Sequence, residues 1–320
     1  MDKEQIKEIK FGTSWSTQFR FTQAIGRGLN EYLNIKASAH VLGPGGFSEL
    51  ANGTVDVIFS KWVVNEHRYT GQGIYSGSKP DEWLRTIAWL PQEDRFLFAM
   101  APHTGITSFE EIVEKKPVLH IAGSGGEVVL NEYGFSYADI EKWGGSVRRV
   151  EHTAAEVSRR FAENKLDGLW GDGSAYDFSA WPWVGLRGYR FLAVDELIMQ
   201  KLESKGLRRQ ITPSGFIPGI DRNLLALDDS HIVVTCRSDL DQEIAYYLAK
   251  AIDEKKRDIE LTSVQLDYDH GEGGGLPMTK TKYWSSLTGR IDKQWDEFYT
   301  GAPLHHGAKS YYQESGYLVS

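Results

Sequence analysis

Short apolar segments rich in β-branched and aromatic residues alternate with helix-like segments along most of the chain, and this alternation constrains the fold more than any other feature. Residues 9–13 form the first strand-like segment, and apolar residues then recur at helical spacing from Phe21 to Leu33. Further strand-like segments lie at 35–42 and 55–59. The pattern predicts an α/β protein in which helices flank largely parallel sheets.

The strand and helix pattern restarts after residue 102. Ser108 and Glu111 match a capping box that would begin a new helix. A strand-like segment at 118–122 then runs into the turn GSGGE and another helix. The restart predicts a second lobe with its own sheet.

A third block contains the β-branched segment 232–236, followed by a helix that Ser238 and Asp241 are placed to cap. If this block returns to the first lobe, the chain crosses between the lobes twice. Two crossings make a hinge with a cleft between two sheets. The predicted segments are lobe 1 at 1–102, lobe 2 at 103–225 and the return to lobe 1 at 226–320.

Length and charge agree with two lobes and limit the partners. A chain of 320 residues exceeds the comfortable size of one hydrophobic core. Its net charge of -8 provides no basic field for a phosphate backbone, which argues against nucleic acid as a partner. Cys236 is the only cysteine, so the chain has no intramolecular disulfide and no cysteine-based zinc site. We expect Cys236 to be buried.

The first fifteen residues mix charges with apolar residues and contain no secretory leader. We therefore expect a cytoplasmic protein if Met1 is the native start and a periplasmic one if a leader was removed. No run approaches the roughly eighteen apolar residues that span a bilayer. A membrane role would have to act through a partner.

Four turns follow strand-like segments and carry glycine, serine or threonine. Ligands of open α/β sheets bind beyond the carboxyl ends of the strands. Backbone N–H groups at helix N-termini also attract anions. One such turn is as often a plain structural bend, but recurrence in both lobes favours binding. The sequence therefore predicts a small-carboxylate site formed by the turns at 13–17, 45–49, 60–62 and 123–127.

Several side chains near these turns are candidate ligand contacts. Lys61 directly follows an apolar strand and would pair with an anion, unless it points outward as a solvated lysine. Trp15, Trp62 and Trp170 lie at strand ends, where an indole stacks on a flat ligand or buries area as core. Asp172 lies between two glycines and would accept a hydroxyl or ammonium group, or simply form a turn.

An enzyme hypothesis rests on Ser124, which lies between a strand and a helix as in a nucleophile elbow. Ala122 stands where the usual first glycine of that motif would be. A triad would need Asp172 or Asp195 together with His231, whose order fits but whose proximity the sequence does not establish. This hypothesis is weaker than binding.

The sequence predicts no cofactor and no metal. Its glycine-rich segments lack the phosphate-binding spacing, and no Gly-Lys-Ser/Thr occurs. The segment 267–275, DYDHGEGGG, lacks the ligand spacing of a calcium loop and is interpreted as a surface loop.

The two adjacent histidines of the tail, His305 and His306, project from different sides of a helix or strand and have no third ligand nearby. We interpret the tail instead as a C-terminal helix that packs through Ala308, Tyr311 and Tyr312.

Four strings, in the same order along the chain, resemble the TAXI family of solute-binding proteins that serve TRAP-type transporters. The strings are GTSWSTQF, GPGGFSELANGTVDV, IAGSGGEVVLNEYGFSYADI and APLHHGAKSYYQESG. The resemblance spans nearly the whole chain.

The resemblance implies a two-lobed type II periplasmic-binding-protein fold with two mixed sheets and flanking helices. It implies hinge closure on a small anionic ligand such as a dicarboxylate, an amino acid or another carboxylate. It further implies a monomer, with TRAP-type membrane subunits as possible partners. Lys61 departs from the family, which has a neutral polar residue there. The contacts carried over from the family are Ser14, Trp15, Gly46, Phe47, Ser48, Lys61, Trp62, Ser124, Gly125 and Glu127.

The alternative is a cytoplasmic enzyme on the same bilobal fold. Such an enzyme would act on an aromatic or small carboxylic acid, as a decarboxylase or in cofactor biosynthesis. This alternative rests on analogy of fold. No general acid-base pair is evident among the predicted cleft residues.

Overall fold

The chain is an α/β protein with two mixed sheets and flanking helices, as predicted. Its structure is a computed structural model, and it describes residues 7–14, 16–42, 46–90, 95–148, 166–173, 181–229, 232–255 and 301–318. The described residues form two compact units. Unit 1 contains those up to Leu90 and from Ile232 onward, and unit 2 contains those from Arg95 to Asp229.

Twelve strands lie in the described residues. They are β1 (Glu8–Thr13), β2 (Lys36–Val41), β3 (Val57–Lys61), β4 (Leu84–Leu90), β5 (Arg95–Met100), β6 (His120–Ser124), β7 (Ser146–Arg148), β8 (Gly168–Gly173), β9 (Arg190–Phe191), β10 (Arg209–Thr212), β11 (Leu224–Asp228) and β12 (Ile232–Arg237).

Ten α-helices lie in the same residues. They are α1 (Ser16–Leu33), α2 (Phe47–Ala51), α3 (Trp62–Thr70), α4 (Phe109–Lys115), α5 (Glu127–Glu132), α6 (Tyr137–Lys142), α7 (Trp181–Leu186), α8 (Glu196–Ser204), α9 (Gln242–Glu254) and α10 (His306–Glu314).

The sheet of unit 1 has the order β2-β1-β3-β12-β4. Strands β1, β2 and β3 are parallel, and β12 is antiparallel to both β3 and β4. The carboxyl ends of β1, β2, β3 and β4 therefore lie at one edge, which we call the unit 1 edge. The buried strand residues Phe11 and Phe59 stack with ring centroids 6.1 Å apart, and Phe21 of α1 packs on Phe59.

The C-terminal helix α10 docks on unit 1 through its tyrosines. Ala308, Tyr311 and Tyr312 share the buried face, as predicted. The Tyr312 hydroxyl donates to the backbone oxygen of Ile87 at 3.0 Å. Tyr311 donates to the buried carboxylate of Asp253 in α9 at 2.6 Å. The tail thus attaches the end of the chain to the first sheet.

Both tail histidines have ordinary structural surroundings. His305 is buried, and its Nδ1 accepts a hydrogen bond from the backbone N–H of Gly307 at 3.2 Å, which caps α10. His306 is exposed. Over the described ranges, no group of three or more His, Cys, Asp or Glu side chains is placed to hold a metal ion.

The sheet of unit 2 has the order β10-β11-β5-β8-β6-β7, with β9 paired to β5. Strand β6 runs parallel to β7 and β8, whereas β5 runs antiparallel to β8 and β11. Both β5 and β11 therefore belong to the second sheet, whereas the predicted boundary at 102/103 places β5 in lobe 1 and the one at 225/226 cuts through β11. Their backbone hydrogen bonds to β8 and to each other decide this placement.

Local capping rules identify most helix starts. Ser108 caps α4 and accepts from the backbone N–H of Glu111, as predicted, whereas the Glu111 carboxylate accepts from the backbone N–H of Thr107. The start of α9 differs from the prediction, because Asp241 alone is its N-cap and accepts from the backbone N–H groups of Glu243 and Ile244. Cys236 is fully buried in β12, as expected, and burial raises the pKa of its thiol well above the ordinary range.

Two features predicted from the sequence fall outside the described residues. One is the helix that the capping-box spacing of Thr153 and Glu156 predicts through Leu166, of which only Leu166 is described. The other is the acidic glycine-rich segment 267–275. Among the helices that the structure does describe, none combines the length and apolarity needed to cross a bilayer.

Candidate functional site

The unit 1 edge carries three of the four predicted turns. Because β1, β2 and β3 are parallel, the segments that follow them emerge side by side. Ser14 follows β1, Gly46 begins α2 after β2, and Lys61 ends β3. The register therefore brings these three sequence-predicted positions to one edge of one sheet.

The turn after β1 is held by a side chain in the first turn of α1. The backbone N–H of Ser14 donates to Oε1 of Gln18 at 2.6 Å. Gln18 is fully buried, and Thr22, one helical turn later, donates its hydroxyl to the Gln18 backbone oxygen at 3.0 Å. Trp15, the other predicted contact in this turn, lies outside the described residues.

The turn after β2 depends on a glycine. Gly46 has φ 57° and forms the N-cap of α2. A Cβ at this position would lie 2.9 Å from Cδ1 of Leu42, so both the backbone angle and the packing favour glycine. Ser48 is the second residue of the helix and is exposed. Phe47 is 5% exposed and packs in the core beneath the Arg68 guanidinium, which lies 4.5 Å from the ring centroid.

The segment after β3 has no turn, because α3 begins at the residue that follows Lys61. A buried chain of hydrogen bonds fixes this junction. Ser60 lies 3.0 Å from the Thr235 hydroxyl, which donates to Asn65 in α3, and Asn65 in turn donates to Thr86 of β4. Four buried polar side chains therefore hold the backbone of Lys61 in place.

In unit 2, the predicted turn after β6 is formed by Gly125 and Gly126, which have φ values of 70° and 67°. Both press against aromatic rings. A Cβ on Gly125 would lie 2.8 Å from Cε1 of Phe96, and one on Gly126 would lie 3.0 Å from Cζ of Phe98. The Gly125 oxygen accepts a hydrogen bond from the Tyr137 hydroxyl at 2.8 Å. Packing therefore fixes the course of this turn.

Glu127 begins α5 directly after this turn, and its carboxylate faces its own unit. Its Oε1 accepts from the backbone N–H of Tyr137 at 3.3 Å. The carboxylate therefore links α5 to α6. The backbone of Ser124 ends β6 and pairs with Gly171 of β8.

Two of the predicted tryptophans are core residues. Trp170 is fully buried in the middle of β8, with the rings of Phe98 and Tyr137 at 5.9 and 6.2 Å. Its Nε1 donates to the sulfur of Met100. Trp62 is 2% exposed at the start of α3. The prediction that these indoles lie at strand ends holds for Trp62, whereas Trp170 lies inside the sheet.

Arg95 is a residue near the predicted site that the sequence did not single out. It begins β5 opposite Gly173, the last residue of β8, and thus lies at the edge where β8 and β6 end. The side chain is 1% exposed, and its guanidinium lies 3.9 Å from the ring centroid of Phe216. Asp172 pairs with Phe96 through its backbone at this edge. Arg95 is the kind of buried cation that no local sequence pattern indicates.

Gln18 is the second residue that the sequence did not single out. The helical periodicity of apolar residues begins only at Phe21, and this concealed the first turn of α1. A glutamine three or four residues after a polar turn is a usable signal, because its side chain can reach back to a free backbone N–H group.

The sequence model of the NMT1-like family matches residues 16–267. No curated protein sequence matches the chain. Among solved structures, a protein from Bordetella bronchiseptica RB50 is 10% identical, with a TM-score of 0.49 over 98% of this chain and 100% of that one.

Two further similar structures are solute-binding proteins. An ABC-transporter choline-binding protein in complex with choline is 12% identical, with a TM-score of 0.46 over 99% of this chain and 100% of that one. A TRAP periplasmic solute-binding protein from Ochrobactrum anthropi is 11% identical, with a TM-score of 0.43 over 83% and 80% of the two chains.

Proposed function

The chain belongs to the NMT1-like family. We propose that it is a solute-binding protein whose strand-end segments hold a small anionic solute. The observation that carries the proposal is the unit 1 edge. There the parallel register places Ser14, the Gly46 turn and Lys61 at the carboxyl ends of adjacent strands.

The chemistry of this edge favours an anion. Helices α1 and α3 both begin at the edge, so their N-terminal N–H groups and dipoles favour negative charge there. Lys61 adds a cation directly at the end of β3, and the buried hydrogen-bond chain of Ser60 fixes its backbone. A carboxylate oxygen accepts from all of these donors.

We further propose that the solute carries a carboxylate, as a dicarboxylate or an amino acid does, and that the chain is a TAXI-type receptor for a TRAP transporter. The four strings that resemble the TAXI family support both proposals. Such a receptor acts outside the cytoplasmic membrane, so periplasmic location is part of the same proposal. Ser14, Ser48 and Lys61, all in unit 1, are its expected solute contacts.

The test is calorimetric titration of the purified protein with acetate, succinate and L-glutamate, together with native mass spectrometry of freshly purified protein. Binding of at least one carboxylate is expected. Lys61→Ala should weaken it about 10- to 100-fold, because a hydrogen bond to a charged group contributes about 1.5–3 kcal/mol.

Lys36→Ala is the matched control. Lys36 is an exposed lysine that begins β2, so it lies at the opposite edge of the same sheet. The control removes the same charge and should leave affinity unchanged. Equal losses in both variants would show a general charge effect, and absence of any carboxylate binding would overturn the proposal.

A further inference from the structure

Gln18 has an amide whose orientation is fixed by its hydrogen bond to Ser14. A backbone N–H can only donate, so the atom that faces it at 2.6 Å must be the oxygen Oε1. The amide nitrogen Nε2 is bonded to the same carbon and therefore points away from that N–H. The direction of the two Nε2 hydrogens follows from the geometry alone.

No described residue accepts a hydrogen bond from Nε2, although the Gln18 side chain is fully buried. A buried donor with no acceptor destabilises a protein, and such groups are rare in native structures. The group therefore calls for a partner that is not a described part of the chain.

The amide lies where a solute is proposed to bind. Gln18 is in the first turn of the 18-residue helix α1. It shares the buried face of that helix with Phe21 and Thr22. Because its oxygen reaches back to Ser14, directly after β1, the amide lies at the N-terminus of α1 and at the unit 1 edge.

We propose that Gln18 is a solute contact whose Nε2 donates to an oxygen of the anionic solute while its Oε1 holds the Ser14 turn. This inference rests on the proposed function and names one of its donors. A glutamate here would also accept from Ser14, and the helix dipole would favour its charge. Only the amide supplies a donor without adding a negative charge.

The experiment uses Gln18→Glu, which keeps the shape and the oxygen acceptor but replaces the donor with a carboxylate oxygen. Titration with acetate, succinate and L-glutamate should show affinity about 30- to 100-fold weaker than in the wild type. Thermal unfolding without solute should occur at a moderately lower temperature, because the bond to Ser14 is kept but a carboxylate enters a fully buried position, so affinity is measured where the variant is folded. Gln18→Met removes both atoms and should lower both affinity and melting temperature.

Gln23→Glu is the control, because Gln23 is an exposed residue of the same helix and gains the same charge. Its affinity should match the wild type. If the wild type binds a carboxylate and Gln18→Glu binds it equally well, the inference is overturned and the proposed function stands. Equal weakening by Gln23→Glu would also overturn it. If the wild type binds none of the three probes, the proposed function fails, and this inference fails with it.

Discussion

Different interactions hold the strand-end segments of the two sheets. At the unit 1 edge, polar side chains determine the geometry, with Gln18 holding the first turn and the Ser60 hydrogen-bond chain holding the third segment. In unit 2, the turn after β6 is glycine, and the rings of Phe96 and Phe98 press against it. Side-chain hydrogen bonds therefore hold the first and third segments of the unit 1 edge, whereas aromatic packing holds the backbone of the turn after β6.

The difference predicts how each edge responds to substitution. Close packing tolerates added volume poorly, because the surrounding side chains are already in contact. A hydrogen-bonded arrangement instead depends on chemical identity at constant volume. Steric substitutions should therefore be most damaging in unit 2, and isosteric changes of chemistry should be most damaging in unit 1.

The largest effect is expected for Gly125→Ala. The new Cβ would lie 2.8 Å from Phe96, at a residue with φ 70°. The left-handed backbone costs about 1–2 kcal/mol and the overpacking about 1–3 kcal/mol. Urea unfolding should show a loss of roughly 2–5 kcal/mol.

Gly215→Ala is its control in the same unit. Gly215 has φ 78°, and a Cβ there would meet nothing within 4 Å. Only the backbone cost of about 1–2 kcal/mol should appear. If both glycines gave the same loss, aromatic packing would not be what fixes the unit 2 turn.

Asp253→Asn should produce the next largest effect and tests whether unit 1 depends on charged hydrogen bonds. The Asp253 carboxylate accepts from Tyr311 at 2.6 Å and from Tyr317 at 3.0 Å. Burial, followed by the charge of Asp253, raises the pKa of Tyr317 to about 12, so its hydroxyl stays protonated as a donor. The neutral amide should lower the free energy of unfolding by about 1.5–3 kcal/mol in urea titrations.

Glu314→Gln changes a comparable bond at the surface. Glu314 accepts from the Tyr246 hydroxyl at 2.7 Å in an exposed position. Its loss should be below about 1 kcal/mol, because water competes for both groups. A loss as large as that of Asp253→Asn would mean that burial of the Asp253 carboxylate adds nothing to the strength of its hydrogen bonds.

The smallest expected effect is a loss of stability of unit 1 at acid pH. Burial lowers the pKa of His305 and of His67 below their ordinary value of 6.5. Protonation therefore favours the unfolded chain. Stability from both residues is fully present above about pH 6.5 and falls as pH drops, by up to ~1.4 kcal/mol per pH unit for each group.

His305→Asn should reduce this slope, because asparagine still caps α10 and does not titrate. Hydrogen exchange at pH 7 and pH 5.5, followed separately in peptides of the two units, measures the effect. His306→Asn changes the exposed neighbour and should leave the slope as in the wild type. If His305→Asn left the dependence of stability on pH unchanged, protonation of His305 would not contribute to the acid sensitivity of unit 1.

Much of the fold could be predicted from the sequence, because strand and helix periodicity is a local property. Strand β1 spans Glu8–Thr13 where 9–13 was predicted, and the tail helix buries the predicted face. The start of α1 was less predictable, since its first turn holds the polar Gln18 where the apolar period is interrupted. Helix α3 was missed, because the sequence indicated a turn at Lys61.

The candidate site was predicted less completely. Glycines and serines after strands indicated which turns to examine, and the parallel register places three of them at one edge. The sequence could not indicate Arg95, since its burial and its contact with Phe216 exist only in the folded chain. Gln18 had a local signal, its spacing from Ser14, but its burial depends on the folded structure. The contribution of Gln18 to binding stays a prediction.

The sequence by itself determined the α/β alternation, most of the helix caps and the docking face of the tail. Only the tertiary structure decided that β5 and β11 belong to the second sheet, that Trp170 is core and that the Gln18 amide has a fixed direction. The physical reason is that the two groups of features depend on interactions over different distances along the chain. Periodicity and capping act within one helical turn or a few strand residues, whereas strand pairing, burial and the fate of a buried donor depend on residues that meet only after folding.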